Sequence, residues 1–261
     1  MRIAHVMATL LTLGFITAPL QSAATQSSQP DAATMHISAS PALYYCPEEQ
    51  GYQLLPRSSY TICFDSQNNI PVWTAYTPQK LAPKNPLDSS NFRPLTGHVI
   101  PETYNHSGAF DQGHLVPAKD MSFSVWAFYD SYLMENAAPQ DQYLNRTTWR
   151  KIENYVRKQA GKNLIKSVVT GTIPSSKKIT PTLAGTPQIT IPRCFYKILY
   201  YAEMQELFIA PNYSLKMDDI TRTRGRDIGN KLLEALRIKN MDVLDSVCPP
   251  SIDAKLAMPS Q

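Results

Sequence analysis

Asp111-Gln112-Gly113-His114-Leu115-Val116-Pro117 opens a stretch that runs on through Asn136, Pro139-Gln140 and Leu144-Asn145 to Trp149 and Glu153. Taken singly, these residues have ordinary explanations. A lone histidine is more often structural than reactive, and an asparagine ahead of a helix is usually a cap. The second half of the stretch is more telling. With Asn145 as the cap of a helix over 146–159, residues advance by about 100° each. Trp149, Ile152, Val156 and Ala160 then share one apolar stripe, and Asn145 and Glu153 project onto it. Arg150, Lys151, Arg157 and Lys158 lie mostly outside it. A carboxylate on the buried side of an amphipathic helix is costly unless it is hydrogen-bonded or charge-paired. Something positive or donating must face Glu153, and a purely structural salt bridge is the plain alternative to a functional site.

The remainder of the chain sets the frame. Its 261 residues, 43% hydrophobic and only 18% charged, suffice for one large domain and argue against a disordered chain. Arg2, an apolar run over 8–18 and small residues at Ser22, Ala23 and Ala24 read as a secretory signal peptide over 1–24. That run is shorter than the roughly 18 to 20 residues a membrane span needs. Removing 1–24 removes Arg2 and no acid, so the net charge falls from +4 to +3. So mild an excess suits approach to polyanions without identifying a nucleic-acid partner. Four cysteines in an exported chain predict two disulfides. Three pairings are open, and sequence neighbours are the cheapest: Cys46–Cys63 and Cys194–Cys248. The histidines (His5, His36, His98, His106, His114) are scattered and no H-E-x-x-H occurs, which argues against a zinc hydrolase.

Residues 25–40 read as a flexible leader, 41–249 as the folded domain and 250–261 as a C-terminal tail. Tyr60 to Phe64 and Val72 to Thr77 flank Asn68-Asn69 as a hairpin, and 78–106 reads as a long ordered loop of the kind that is usually functional. Leu164 to Ile173, Gln188 to Ile191, Cys194 to Ala202 and Glu206 to Ala210 are strand-like. Val125 to Met134 and Thr147 to Gln159 are helical, with a last helix inside Asp218 to Arg237. One α+β domain is the expected fold class.

In order and spacing, Asp111-Gln112-Gly113-His114, Asn136-x-x-Pro139-Gln140, Leu144-Asn145 and Trp149-x-x-x-Glu153 resemble the DNA/RNA non-specific endonuclease family, the ββα-metal group that includes endonuclease G. Val169-Thr170-Gly171, Ile191-Pro192 and Phe195-Tyr196-Lys197 resemble the family's strands, so the likeness covers roughly 60–210. The resemblance implies a ββα-metal motif in a single domain with a central, mostly antiparallel sheet flanked by helices. It assigns His114 as general base, Asn145 as the protein ligand of Mg²⁺ (or Mn²⁺) and Glu153 as an outer-shell carboxylate. Asp111 takes an orienting or structural role, and Asn136 a supporting one. The family usually has arginine where Gln112 stands. Glutamine can donate to the scissile phosphate but carries no charge. Arg93, Lys119 and Arg146 are the nearest substitute cations in sequence.

The implied activity is hydrolysis of DNA and RNA alike to 5′-phosphate products, by water that His114 deprotonates near its ordinary pKa of about 6.5. Contacts to phosphate and sugar rather than base edges suit that breadth. The expected protein is secreted or periplasmic, without stable membrane association after signal cleavage, and a homodimer is left open. Arg222, Arg224, Arg226, Lys177 and Lys178 form either a phosphate track or a solvated basic face. Gln112 sustains one rival reading, a catalytically weak or inactive secreted nucleic-acid-binding protein that kept the fold. A structural exported domain would require Glu153 to be paired far from His114 and Asn145.

Overall fold

The strongest strand signals in the chain lack alternation: Ile70–Tyr76 and Ile189–Tyr200 bury every residue. Strands covered on both faces belong inside a sheet with other layers packed on it. The computed structural model describes residues 46–79, 90–97, 99–104, 108, 110–181 and 184–256, all within the unit Thr34–Gln261. Three strands, β1 (Tyr52–Pro56), β2 (Thr61–Asp65) and β3 (Ile70–Tyr76), precede a separate two-stranded ribbon of β4 (Phe110–His114) and β5 (Ala137–Asp141). The chain then returns through β6 (Ser167–Ile179), β7 (Ile189–Tyr200), β8 (Gln205–Pro211) and β9 (Thr221–Gly225). The seven-stranded sheet runs β1-β2-β3-β6-β7-β8-β9 with every pairing antiparallel. Helices α1 (Val125–Ser131), α2 (Arg150–Gly161), α3 (Ile228–Arg237) and α4 (Met241–Val247) complete the expected α+β architecture.

Several local readings change in three dimensions. The two segments on either side of Pro192 join into the single strand β7. Pro192 sits opposite Pro174, where the register of β6 is irregular, a position at which a missing N–H is tolerated. The last helix, α3, lies within Asp218 to Arg237 as expected, and the edge strand β9 occupies the residues before it. The helix expected over Val125 to Met134 stops at Ser131. Residues 250–255, placed at sequence level in a tail, form 3₁₀ turns that bury Ile252, and Asp253 accepts hydrogen bonds from Ser176 N and Oγ. The expected signal peptide and leader fall outside the described residues, as does much of the expected loop 78–106.

Both expected disulfides form. Cys46–Cys63 ties the first described residue to β2, and Cys194–Cys248 ties β7 to the residue after α4. By chain entropy each closure stabilises the fold by about 3–4 kcal/mol.

Asn212, fully buried just after β8, fastens the ribbon to the sheet. Its Nδ2 donates to Pro139 O on β5 and to Pro192 O on β7, 2.9 Å each, while its Oδ1 accepts from Asp141 N at 2.8 Å. Asn212→Ala strands one buried donor and two buried acceptors. It should cost about 3 kcal/mol of unfolding free energy in urea titrations. A midpoint equal to wild type would show that the ribbon is held by packing alone.

Candidate active site

His114 closes β4, opposite Ala137 on β5. Its ring lies 4.6 Å from the Phe92 ring and 4.8 Å, edge-on, from the Tyr132 ring. Nε2 is buried and finds no hydrogen-bond partner among the described residues. Burial without a counter-charge lowers the imidazole pKa to about 4, so the ring is neutral at physiological pH. The loop bearing Phe92 is held by Glu135, whose carboxylate accepts from Leu95 N, Thr96 N and Thr96 Oγ1. Behind His114, the buried Asn136 accepts from Val116 N and donates to Val116 O and Ser131 O, while its own carbonyl takes Leu115 N. Asn136 therefore pins the chain immediately after the imidazole. Gly113 is required by close approach, because a Cβ there would stand 2.4 Å from Gln140 Oε1 and 2.5 Å from its Cβ. Strand alternation places Gln112 on the same ribbon face as His114, with Asp111 and Gly113 on the other.

Asp111 gathers the next residues. Its Oδ2 accepts from Asn145 Nδ2 at 2.9 Å and from Arg146 Nε at 2.8 Å, and its Oδ1 accepts from Arg146 Nη2 at 2.6 Å. Asn145 is not the helix cap that its position suggests. It lies inside a wide π-type turn, Leu144–Trp149, that leads into α2, and Asp141 Oδ1 takes the Leu144 N–H instead. Turns of this kind recur at functional sites because they redirect side chains. With Nδ2 committed to Asp111, Asn145 Oδ1 has no partner among the described residues. It is a hard oxygen donor, half-buried, on a side chain fixed at its other end. No group of three or more His, Cys, Asp or Glu able to hold a metal occurs among the described residues. A lone neutral oxygen donor of this kind suits a divalent ion that keeps most of its own water.

Glu153 sits on the inner side of α2, as the helical stripe requires. Its facing charges are Lys197 on β7, Arg157 and Arg150 on α2, and the second carboxylate, Asp120. Burial raises its pKa, opposed by these cations. Arg157 Nη2 stands 3.9 Å from Glu153, while Nη1 donates to Asp120 at 2.7 Å. Asp120 also accepts from Tyr76 Oη at 2.5 Å. Sequence reading demanded a cation beside Glu153 without locating it. Lys197 carried a legible signal, a charged residue in the middle of the apolar run Cys194 to Ala202.

Of the cations offered in place of the family arginine, Arg146 is engaged by Asp111, and Arg93 pairs with Asp130 at 3.2 Å and donates to Tyr129 O. Lys119 is exposed and has no ionic partner among the described residues. Arg222 and Arg224 both bind the buried Glu206 carboxylate, which also accepts from Tyr155 and Tyr201. They brace β9 against β8 rather than standing free as a phosphate track.

The unfolded chain takes up a proton on His114 below a pKa of about 6.5, whereas the folded ring resists protonation down to about 4. Stability from the neutral ring is thus complete above the unfolded value and is lost as pH falls through this window. In His114→Phe, the decline of the urea midpoint from neutral pH to mildly acid pH should be shallower than in wild type. Parallel curves would remove the imidazole as the source.

Against this geometry, residues 39–224 match the family model described as DNA/RNA non-specific endonuclease. The chain is 29% identical over 167 residues to the mitochondrial nuclease of Saccharomyces cerevisiae, covering 57% of this chain and 50% of that protein. It is 26% identical over 160 residues to human mitochondrial endonuclease G, covering 56% and 54%, and 27% identical over 152 residues to a nuclease of Nostoc, covering 56% and 53%. The chain spans about half the length of these curated relatives. A chain in the crystal structure of the EndoG/EndoGI complex shares the fold, with a TM-score of 0.50 at 21% identity over 63% of this chain and 76% of that one. The chain belongs to the DNA/RNA non-specific endonuclease family.

Proposed function

We propose that the chain is an exported, sugar-non-specific endonuclease in which His114 is the general base and Asn145 holds a Mg²⁺ ion. One observation carries the reading. The Asn145–Asp111 hydrogen bond tethers the carboxamide to the strand that ends in His114, three residues and roughly 10 Å of strand further on. Base and oxygen donor are thereby held by a single short element.

A bound Mg²⁺ or Mn²⁺ would polarise the phosphate oxygens and stabilise the departing 3′-oxygen. The chain's own residues supply the rest. His114, neutral in its desolvated pocket, has in Nε2 a buried acceptor without a partner among the described residues, the atom that would take a proton from an attacking water. The imidazolium so formed is disfavoured by burial alone, and the negative charge of an adjacent phosphodiester offsets that cost. Gln112, on the same ribbon face, donates a hydrogen bond to the phosphate, and Glu153 accepts hydrogen bonds from water beside it. In-line attack breaks the bond to the 3′-oxygen, leaving a 5′-phosphate and a 3′-hydroxyl.

Two closed disulfides favour an oxidising compartment, which supports export through a signal peptide over 1–24. No helix among the described residues is long and apolar enough to cross a membrane. Gln112 favours one second reading, a nucleic-acid binder with little or no cleavage.

Purified protein with Mg²⁺ should degrade both plasmid DNA and RNA, stop on addition of EDTA, and yield ends that accept a labelled phosphate only after phosphatase treatment. His114→Ala should lose about 10²–10⁴-fold in rate with an unchanged circular-dichroism spectrum. A wild-type protein that retards DNA in a gel without cutting it would establish the binder instead.

A further inference from the structure

A fully buried lysine on β7 has no part in the reading above. Lys197 is fully buried in a strand whose every residue is buried. Its Nζ donates to Thr170 Oγ1 at 2.5 Å, directly across the β6–β7 register, and stands 5.2 Å from the centroid of the Trp149 ring. An ammonium withdrawn from water is strongly unfavourable without a compensating charge. Thr170 supplies one neutral acceptor, and the Trp149 face supplies a modest cation–π attraction. The ionic compensation must come from the acids packed around it, Glu153 and Asp120.

These acids are not served alike. Asp120 has a direct partner in Arg157 Nη1 and accepts from Tyr76 Oη. Arg157 is committed to Asp120 and, through Nη2 at 2.7 Å, to Asn154 Oδ1, which leaves Glu153 at 3.9 Å, outside hydrogen-bond reach. Glu153 accepts no hydrogen bond among the described residues, and the strongest charge acting on it is Lys197, ahead of Asp120, Arg157 and Arg150. Lys197 compensates Glu153 without contacting it closely enough to occupy its oxygens.

We propose that Lys197 is a positioning residue: from the face of Trp149, one turn before Glu153, its ammonium supplies the counter-charge that opposes the burial of Glu153 and favours the ionised carboxylate, with both oxygens left to water at the site. This rests on the nuclease reading only in giving those waters a reaction to serve. The groups facing Glu153 are Lys197 from β7, Arg150 and Arg157 from α2, Asp120 from the turn after β4, and Tyr76 from β3. Loss of Lys197 leaves desolvation and Asp120 opposed only by the two arginines.

The test uses the full chain with Lys197→Met, which keeps the length of the side chain and removes its charge. In metal-free protein labelled with [¹³Cδ]glutamate, the Glu153 carboxyl, assigned by its disappearance in Glu153→Gln, should titrate at least about one pH unit higher than in wild type, the scale of losing one close opposite charge. With Mg²⁺, the acid limb of the pH–kcat profile should move up by a similar interval, with KM little changed and activity recovering at higher pH. Lys197→Met/Glu153→Gln, which removes both charges, should regain the thermal stability lost in Lys197→Met. If Lys197→Met itself does not fold, recovery of folding in the double variant supports the pairing, and failure of both overturns it. An unmoved carboxyl titration, or a kcat lowered equally at every pH, would overturn the proposal. An inactive wild type would overturn the nuclease reading, while the carboxyl titration would still decide whether Lys197 governs Glu153.

Discussion

The carboxylate of Asp111 holds the ribbon, the π-type turn and the start of α2 in one register, through Asn145 on one oxygen and Arg146 on both. A two-stranded ribbon is marginal in isolation, and this one stands off the main sheet. Three polar ties fix it instead. Asp111 holds its entry, Asn136 clamps the chain just past its first strand, and Asn212 joins its second strand to β7. Each uses a buried amide or carboxylate to satisfy backbone groups or donors that packing alone would leave unpaired. The position of His114 is a consequence of these ties, since β4 carries few apolar residues of its own to bury.

Burial is used in two opposite senses around the site. His114 is enclosed by Phe92 and Tyr132 with no charge to support a proton, so desolvation leaves it a neutral acceptor. Glu153 is enclosed as deeply, but cations on two different elements oppose the same desolvation. The pocket's low polarity acts on both groups and disfavours the charged form of each, while only Glu153 has cations that oppose it. The second acid, Asp120, takes Arg157 for itself, and that division leaves Glu153 dependent on a residue from the central sheet.

How much of this was legible varies by element. The stripe Trp149, Ile152, Val156 is buried as its spacing requires, and cations do face Glu153, because a carboxylate on an inner helix face is costly without a positive or donating partner. The disulfides follow from sequence proximity. Asn145 was misread as a cap because a 100° step presumes a regular helix, and the π-type turn breaks that step just where the site begins. The ribbon left no periodic signal, since Phe110–His114 and Ala137–Asp141 are short and pair through a glycine approach that only the partner strand explains. Arg222 and Arg224 looked like free cations because Glu206, their partner, is buried on the neighbouring strand.

From the order of residues alone came the family, the α+β class, the disulfide pairing and the imidazole, carboxamide and carboxylate proposed for the site. Those are properties of local pattern and side-chain chemistry, carried by spacing along one chain. The tertiary structure decided which charges meet: Arg146 with Asp111, Arg157 with Asp120, Arg222 with Glu206. Such pairings join strands and helices up to dozens of residues apart, and their strength depends on how far water is excluded between them, a quantity that exists only once the sheet and helices have closed.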